Sequence, residues 1–167
     1  MSLANQYSYV LLALGTLIVV FAGLRWRRVA WRATVIAGLV LALVFTGGFL
    51  AFSVGASDVG SVSAAQAQIG NGKPTFLEFY SNFCAGCMAA RPTVDALVAN
   101  LGDQFNVLRV DIHTAVGRDL RTLYGFTYSP EFVLFDAGGS ELWRSNNPPS
   151  DAELERAKTQ SVTNTAP

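Results

Sequence analysis

The chain is poor in charge: charged residues make up 14% of its 167 positions against 51% hydrophobic, and the mean hydropathy is +0.33. So little charge excludes one ordinary soluble domain, and the length exceeds a bare membrane anchor, so two parts are implied. No acid precedes Asp58, although Arg25, Arg27, Arg28 and Arg32 do, which leaves eight basic against twelve acidic residues in the remainder. That deficit of positive charge argues against a nucleic-acid-binding surface. Cysteine occurs only at Cys84 and Cys87, which excludes a multi-disulfide framework and leaves a redox pair or half a metal site. A structural metal site wants four ligands, and the single histidine, His113, falls past the end of a strand pattern, where it reads as a surface residue.

Two uncharged stretches account for the hydropathy. Residues 7–24 and 33–54 are long enough for roughly 27 and 33 Å of helix at about 1.5 Å per residue, so residues 1–54 read as a transmembrane hairpin. Between the spans, RWRRVAWR places four arginines with Trp26 and Trp31 at headgroup level. The positive loop, Arg25 to Arg32, belongs on the cytoplasmic side, so the amino terminus and everything after Val54 are expected on the other. A cleaved signal peptide fits less well, because the first apolar run has no basic prefix and the second begins past residue 30. Neither span carries an ionisable residue, which removes the material for a proton relay or ion path. Gly15, Gly23, Gly38 and Ala42 are candidates for close helix approach.

Residues 55–72, rich in Ser, Gly, Ala and Gln, read as a linker with a short helix over 61–69. A domain over 73–160 follows. TFLEFY at 75–80 reads as a strand buried on both faces, and Val94, Leu97, Val98 and Leu101 mark a helix that Pro92 should kink and Gly102 should stop. Residues 107–112 alternate as a second strand, Val116, Leu120, Leu123 and Tyr124 stripe a second helix ended by Gly125, and 132–135 and 141–144 form an antiparallel pair across Ala137-Gly138-Gly139. Ser150 with Glu153 is a capping box for a last helix, and 161–167 read as a loose tail. The predicted fold is an α/β mixed sheet with helices on both faces.

A thiol attacks as its thiolate, which is favoured where a buried strand ends and a helix begins. Cys84 falls there. Cys87, one turn on, shares its face, with a sulfur expected to be more buried and less ionised, so Cys84 is the candidate nucleophile and Cys87 the resolving thiol. An inert disulfide remains an alternative, but so small a loop constrains the unfolded chain little.

The strand TFLEFY, the run Ser81-Asn82-Phe83-Cys84-Ala85-Gly86-Cys87, Pro92 five residues on, and Gly125 five before Pro130 together resemble the thioredoxin superfamily over about residues 60–160. The anchor and Phe83 before Cys84 are similar to the membrane-anchored thioredoxin-like proteins of cyanobacteria and plastids, which face away from cytoplasm or stroma. The resemblance implies a thioredoxin-like fold with a redox-active Cys84–Cys87 disulfide, no other cofactor and no metal. It implies that Glu78 is a buried acid taking the proton of Cys87, and burial in an apolar strand would raise its pKa to suit; a solvent-facing Glu78 on an edge strand is the alternative. Arg109 matches a family lysine and reads as a partner of Glu78 or as a solvated strand charge. Pro130 matches the family's cis-proline, with Ser129 offering backbone groups to an extended substrate beside Phe83, Ala85 and Gly86.

The chain departs from the family pattern at Phe83, where tryptophan is usual, at Ala85-Gly86 in place of Gly-Pro, and at Glu131 in place of threonine. Local dipoles set the redox potential, about 30 mV for each 1.4 kcal/mol, so reductase and oxidase or isomerase stay open, with the reductase preferred. The expected clients are exported disulfide-containing proteins such as apocytochrome c, and the expected reductant is a separate membrane thiol-electron transporter. The expected location is the cell or thylakoid membrane, with the domain extracytoplasmic. A non-redox membrane binding or assembly module is the rival from another class.

Overall fold

Backbone groups in a bilayer must be satisfied within their own segment, and long uncharged runs meet that demand as helices. In the computed structural model, which describes residues 3–163 and side chains through 160, a short α1 (Leu3–Gln6) precedes α2 (Ser8–Trp26) and α3 (Trp31–Phe52). The latter two are long and apolar enough to cross a membrane. The turn between them is tighter than the sequence suggested, because helix continues through Arg25 and Trp26 and resumes at Trp31. Arg25 lies over the Trp31 ring. The small residues singled out for close approach do not act so: a Cβ at Gly15, Gly23 or Gly38 would meet nothing within 4 Å. The tight crossing is at Gly48, beneath the Tyr9 hydroxyl, which donates to the Phe45 carbonyl at 2.5 Å.

The domain begins earlier than residue 73. Helix α4 (Val62–Gln68) is capped by Ser61, whose Oγ accepts from the Ala64 N–H, and it buries Ala65 in the core. Strand β1 (Thr75–Tyr80) is buried throughout, as its apolar run dictates. It is interior to a four-stranded sheet of order β2-β1-β3-β4, parallel to β2 (Asn106–Asp111) and antiparallel to β3 (Glu131–Phe135), which pairs with β4 (Glu141–Ser145). Helix α5 (Ala85–Leu101) runs on through Pro92, and α6 (Ala115–Leu123) ends before Gly125, whose φ of +65° suits a residue without Cβ. Helix α7 (Asp151–Thr163) extends past the predicted start of the loose tail at 161; residues 164–167 lie outside the described residues.

The sheet separates two apolar layers. Leu77, Phe79, Leu108 and Val110 pack with Ala65 of α4 and Leu120 of α6, while Phe76, Phe132 and Leu134 pack with Val94 of α5 and Leu154 of α7. Residues 55–60 are not a free linker. β2 is a sheet edge whose unpaired N–H and C=O groups attract a partner: Asp58 N–H donates to the Arg109 carbonyl, and Ser57 Oγ accepts from Asp111 N–H.

Candidate active site

Cys84 is the N-cap of α5, reached where β1 has delivered the chain to the end of the sheet. Its sulfur accepts the Cys87 N–H at 3.2 Å and lies 3.7 Å from the Ser129 carbonyl. Both cysteines are free thiols and both are buried, Cys84 to 1% exposure, so the expected contrast in accessibility is absent and the contrast in acidity comes from hydrogen bonding. The Cys87 thiol, the Cys87 and Gly86 N–H groups and the Ser8 hydroxyl overcome the opposing effect of burial and lower the Cys84 pKa to about 6. Cys87 moves the other way, because its proton is held by Cys84 and its sulfur is buried.

A pH series of alkylation is therefore expected to rise through a midpoint near 6 at Cys84 while Cys87 stays unreactive; a midpoint at the ordinary thiol value of 9 would overturn this. The folded pKa is lowered from the ordinary 9, so this thiolate stabilises the reduced fold above pH 9, and that contribution is lost as pH falls through about 6.

Glu78 faces Arg109 across the parallel pair β1·β2, with Arg109 Nε donating to Oε2 at 2.5 Å. Arg109 is also paired to Asp95 of α5 at 2.7 Å, so it is not a solvated strand charge. Glu78 is fully buried on an interior strand, which excludes the solvent-facing reading. Burial raises its pKa, with Arg109 opposing, and its Oε1 has no hydrogen-bond partner among the described residues. The Ser129–Pro130 bond is cis. Ser129, Pro130 and Gly86 gather beside Cys84, a Cβ at Gly86 lying 3.6 Å from Pro130 Cδ and 3.7 Å from Cys84 Sγ.

Several contacts at the site carried no sequence signal. Glu131 is buried, accepts from Thr127 and pairs with Arg144 at 2.7 Å. His113 is not a detached surface residue: its Nε2 lies 2.9 Å from Ser81 Oγ, and its ring meets those of Tyr7 and Phe83. Ser81 Oγ donates to the Gln6 carbonyl, which leaves it to accept from Nε2 in this contact. Phe83 stacks between Tyr7 and Phe49, at 5.7 and 5.8 Å.

The anchor also reaches the site. Tyr9 N–H donates to the Phe83 carbonyl, Ala85 N–H donates to Ser8 Oγ at 2.9 Å, and Arg91 Nη1 donates to the carbonyls of Ala51 and Ser53 at the end of α3. Polar residues flanking a span have no periodicity that would announce partners 75 to 124 positions away.

Comparison with known proteins agrees with this geometry. The thioredoxin family model matches residues 61–158. The chain is 30% identical over 116 residues to the thioredoxin-like protein HCF164, chloroplastic, of Arabidopsis thaliana, covering 69% of this chain and 43% of that protein. It is 35% identical over 77 residues to a thiol:disulfide interchange protein TxlA homolog of Synechocystis sp., covering 45% and 42%. The matched region thus spans less than half the length of these two relatives. Among solved structures, thioredoxin from Trypanosoma brucei brucei superposes with a TM-score of 0.50 at 14% identity, over 67% of this chain and 94% of that one, a likeness of fold.

Proposed function

The chain belongs to the thioredoxin family, and on that premise we propose that it is a membrane-anchored thiol:disulfide oxidoreductase that reduces the disulfides of exported proteins. The observation carrying this is the acidic Cys84 sulfur, held at the start of α5 by the N–H of the thiol that would follow it in the reaction. The Cys84 thiolate attacks one sulfur of the client disulfide, forming a mixed disulfide and releasing the client's other sulfur as thiolate. Cys87 then loses its proton and attacks the Cys84 sulfur. The Cys84–Cys87 disulfide forms, the client's second thiolate leaves, and two electrons have passed to the client. The role of proton acceptor falls to Glu78, supported by its raised pKa, its unpaired Oε1 and the influence of its charge on Cys87. Phe83, Ala85, Gly86, Ser129 and Pro130 form the client-binding rim.

The arginine loop supports an extracytoplasmic domain, and two helices long and apolar enough to cross a membrane support an anchor in the cell or thylakoid membrane. Apocytochrome c is a client of suitable chemistry, and a membrane thiol-electron transporter is the reductant such a site needs. Equilibration of the full chain with glutathione is expected to give a potential nearer the roughly −270 mV of a reductant than the roughly −120 mV of an oxidant. The latter value would replace reduction by oxidation with the same residues.

A further inference from the structure

The edge of the site where a client's extended backbone would lie is already filled. Asn5 Nδ2 donates to the Ser129 carbonyl at 2.8 Å, and Ser129 N–H donates to Asn5 Oδ1 at 2.9 Å. A carboxamide meeting both groups of one residue reproduces what a paired peptide strand does. The neighbouring residues continue the closure: the Gln6 carbonyl accepts from Ser81 Oγ at 2.9 Å, Tyr7 stacks on Phe83, and Ser8 Oγ accepts from Ala85 N–H. Beneath this strap Cys84 is 1% exposed, too little for in-line attack on any disulfide. Beside it a cleft lined by Asn5, Gly86, Tyr128, Pro130 and Asn146 stays open, with Tyr128 51% exposed, so a client has an approach from which to displace the strap.

We propose that the strap from Asn5 to Ser8 is an intramolecular competitor for the client-binding edge, so that the segment leading into the membrane anchor gates the thiol exchange. The inference rests on the exchange chemistry proposed above. Closed and open states are in equilibrium, and every reaction of Cys84 starts by paying the same opening cost. Weakening the strap must therefore speed unrelated reactions of Cys84 by one common factor. Two lost hydrogen bonds of modest net worth set that factor at about tenfold, the equivalent of about 1.4 kcal/mol.

The test uses the full chain in lipid nanodiscs, as wild type, Asn5→Ala and Asn5→Asp. The aspartate keeps an acceptor for the Ser129 N–H but sets an anion against its carbonyl. Two rates are measured above pH 8, where Cys84 is ionised: alkylation by iodoacetamide and reduction of a disulfide-bonded peptide. Both variants are expected to alkylate about tenfold faster and to show a KM for the peptide about tenfold lower at unchanged kcat. Loosening of the fold alone would lower kcat or the melting temperature without that matched pair. Unchanged alkylation in a folded variant, or a change in kcat with KM fixed, overturns the strap. Faster alkylation with no peptide reduction by any form would leave the strap standing and overturn the exchange reaction instead.

Discussion

A Cys87→Ser chain is expected to accumulate with its client covalently attached to Cys84, whereas Cys84→Ser should lower exchange on the order of 10³-fold or more. The asymmetry follows from the order of the steps. Without Cys87 the first attack proceeds and nothing displaces the client; without Cys84 the remaining thiol is buried, and burial still raises its pKa after the hydrogen bond and charge of Cys84 are gone. Non-reducing gels of membranes from cells expressing each variant, followed by mass spectrometry of the adduct, would read the result. Adducts on the Cys84→Ser chain but not on Cys87→Ser would reverse the two roles. Full biological activity in Cys84→Ser would favour the non-redox assembly module.

The second large effect concerns stability. Arg109→Leu strands Glu78 as a fully buried carboxylate with no cation against it, which should cost about 3–5 kcal/mol. For a domain of this size that is a fall in melting temperature of at least ~12 °C. The loss should depend on pH in a stated direction. The Glu78 pKa is already raised above its ordinary 4.5 by burial, and removing Arg109 raises it further. Its favourable state in the fold is then the protonated one, so the variant is most stable below about pH 4.5 and loses stability as pH rises through the folded pKa. Glu78→Leu together with Arg109→Leu should recover most of the loss, because an apolar pair carries no desolvation penalty. Thermal melts of the four forms across pH decide it, and a single variant as stable as the wild type would remove the ion pair from the account.

Much of this site was legible in the residues because its chemistry is local. The apolar run at 75–80 read as a strand buried on both faces, with a solvent-facing Glu78 on an edge strand as the alternative, and two thiols one helical turn apart at its exit have few other uses. Strand alternation also put Arg109 on the side of β2 away from Leu108 and Val110, and the resemblance brought it to Glu78. The illegible part is made of long-range hydrogen bonds from small polar side chains. Asn5, Gln6 and Ser8 read only as uncharged residues ahead of a span, since nothing in their spacing encodes Ser129, Ser81 or Ala85 as partners. Residues 55–60 read as linker because their composition is that of one, while the demand they meet lies in the open edge of β2. His113 read as a surface residue for the same reason: its neighbours Tyr7 and Phe83 come from elsewhere in the chain.

Arg91 grips the last carbonyls of α3 while Val54 packs against Tyr80, Cys84 and Cys87, so no slack chain separates the second apolar helix from the sulfurs. A head on a loose leash sweeps a hemisphere and meets whatever drifts past. With its stalk in a bilayer, as proposed, this one would meet partners by sideways travel along a plane and according to how deep a visiting cysteine sits, and lengthening the stalk is expected to move the reaction out of their reach.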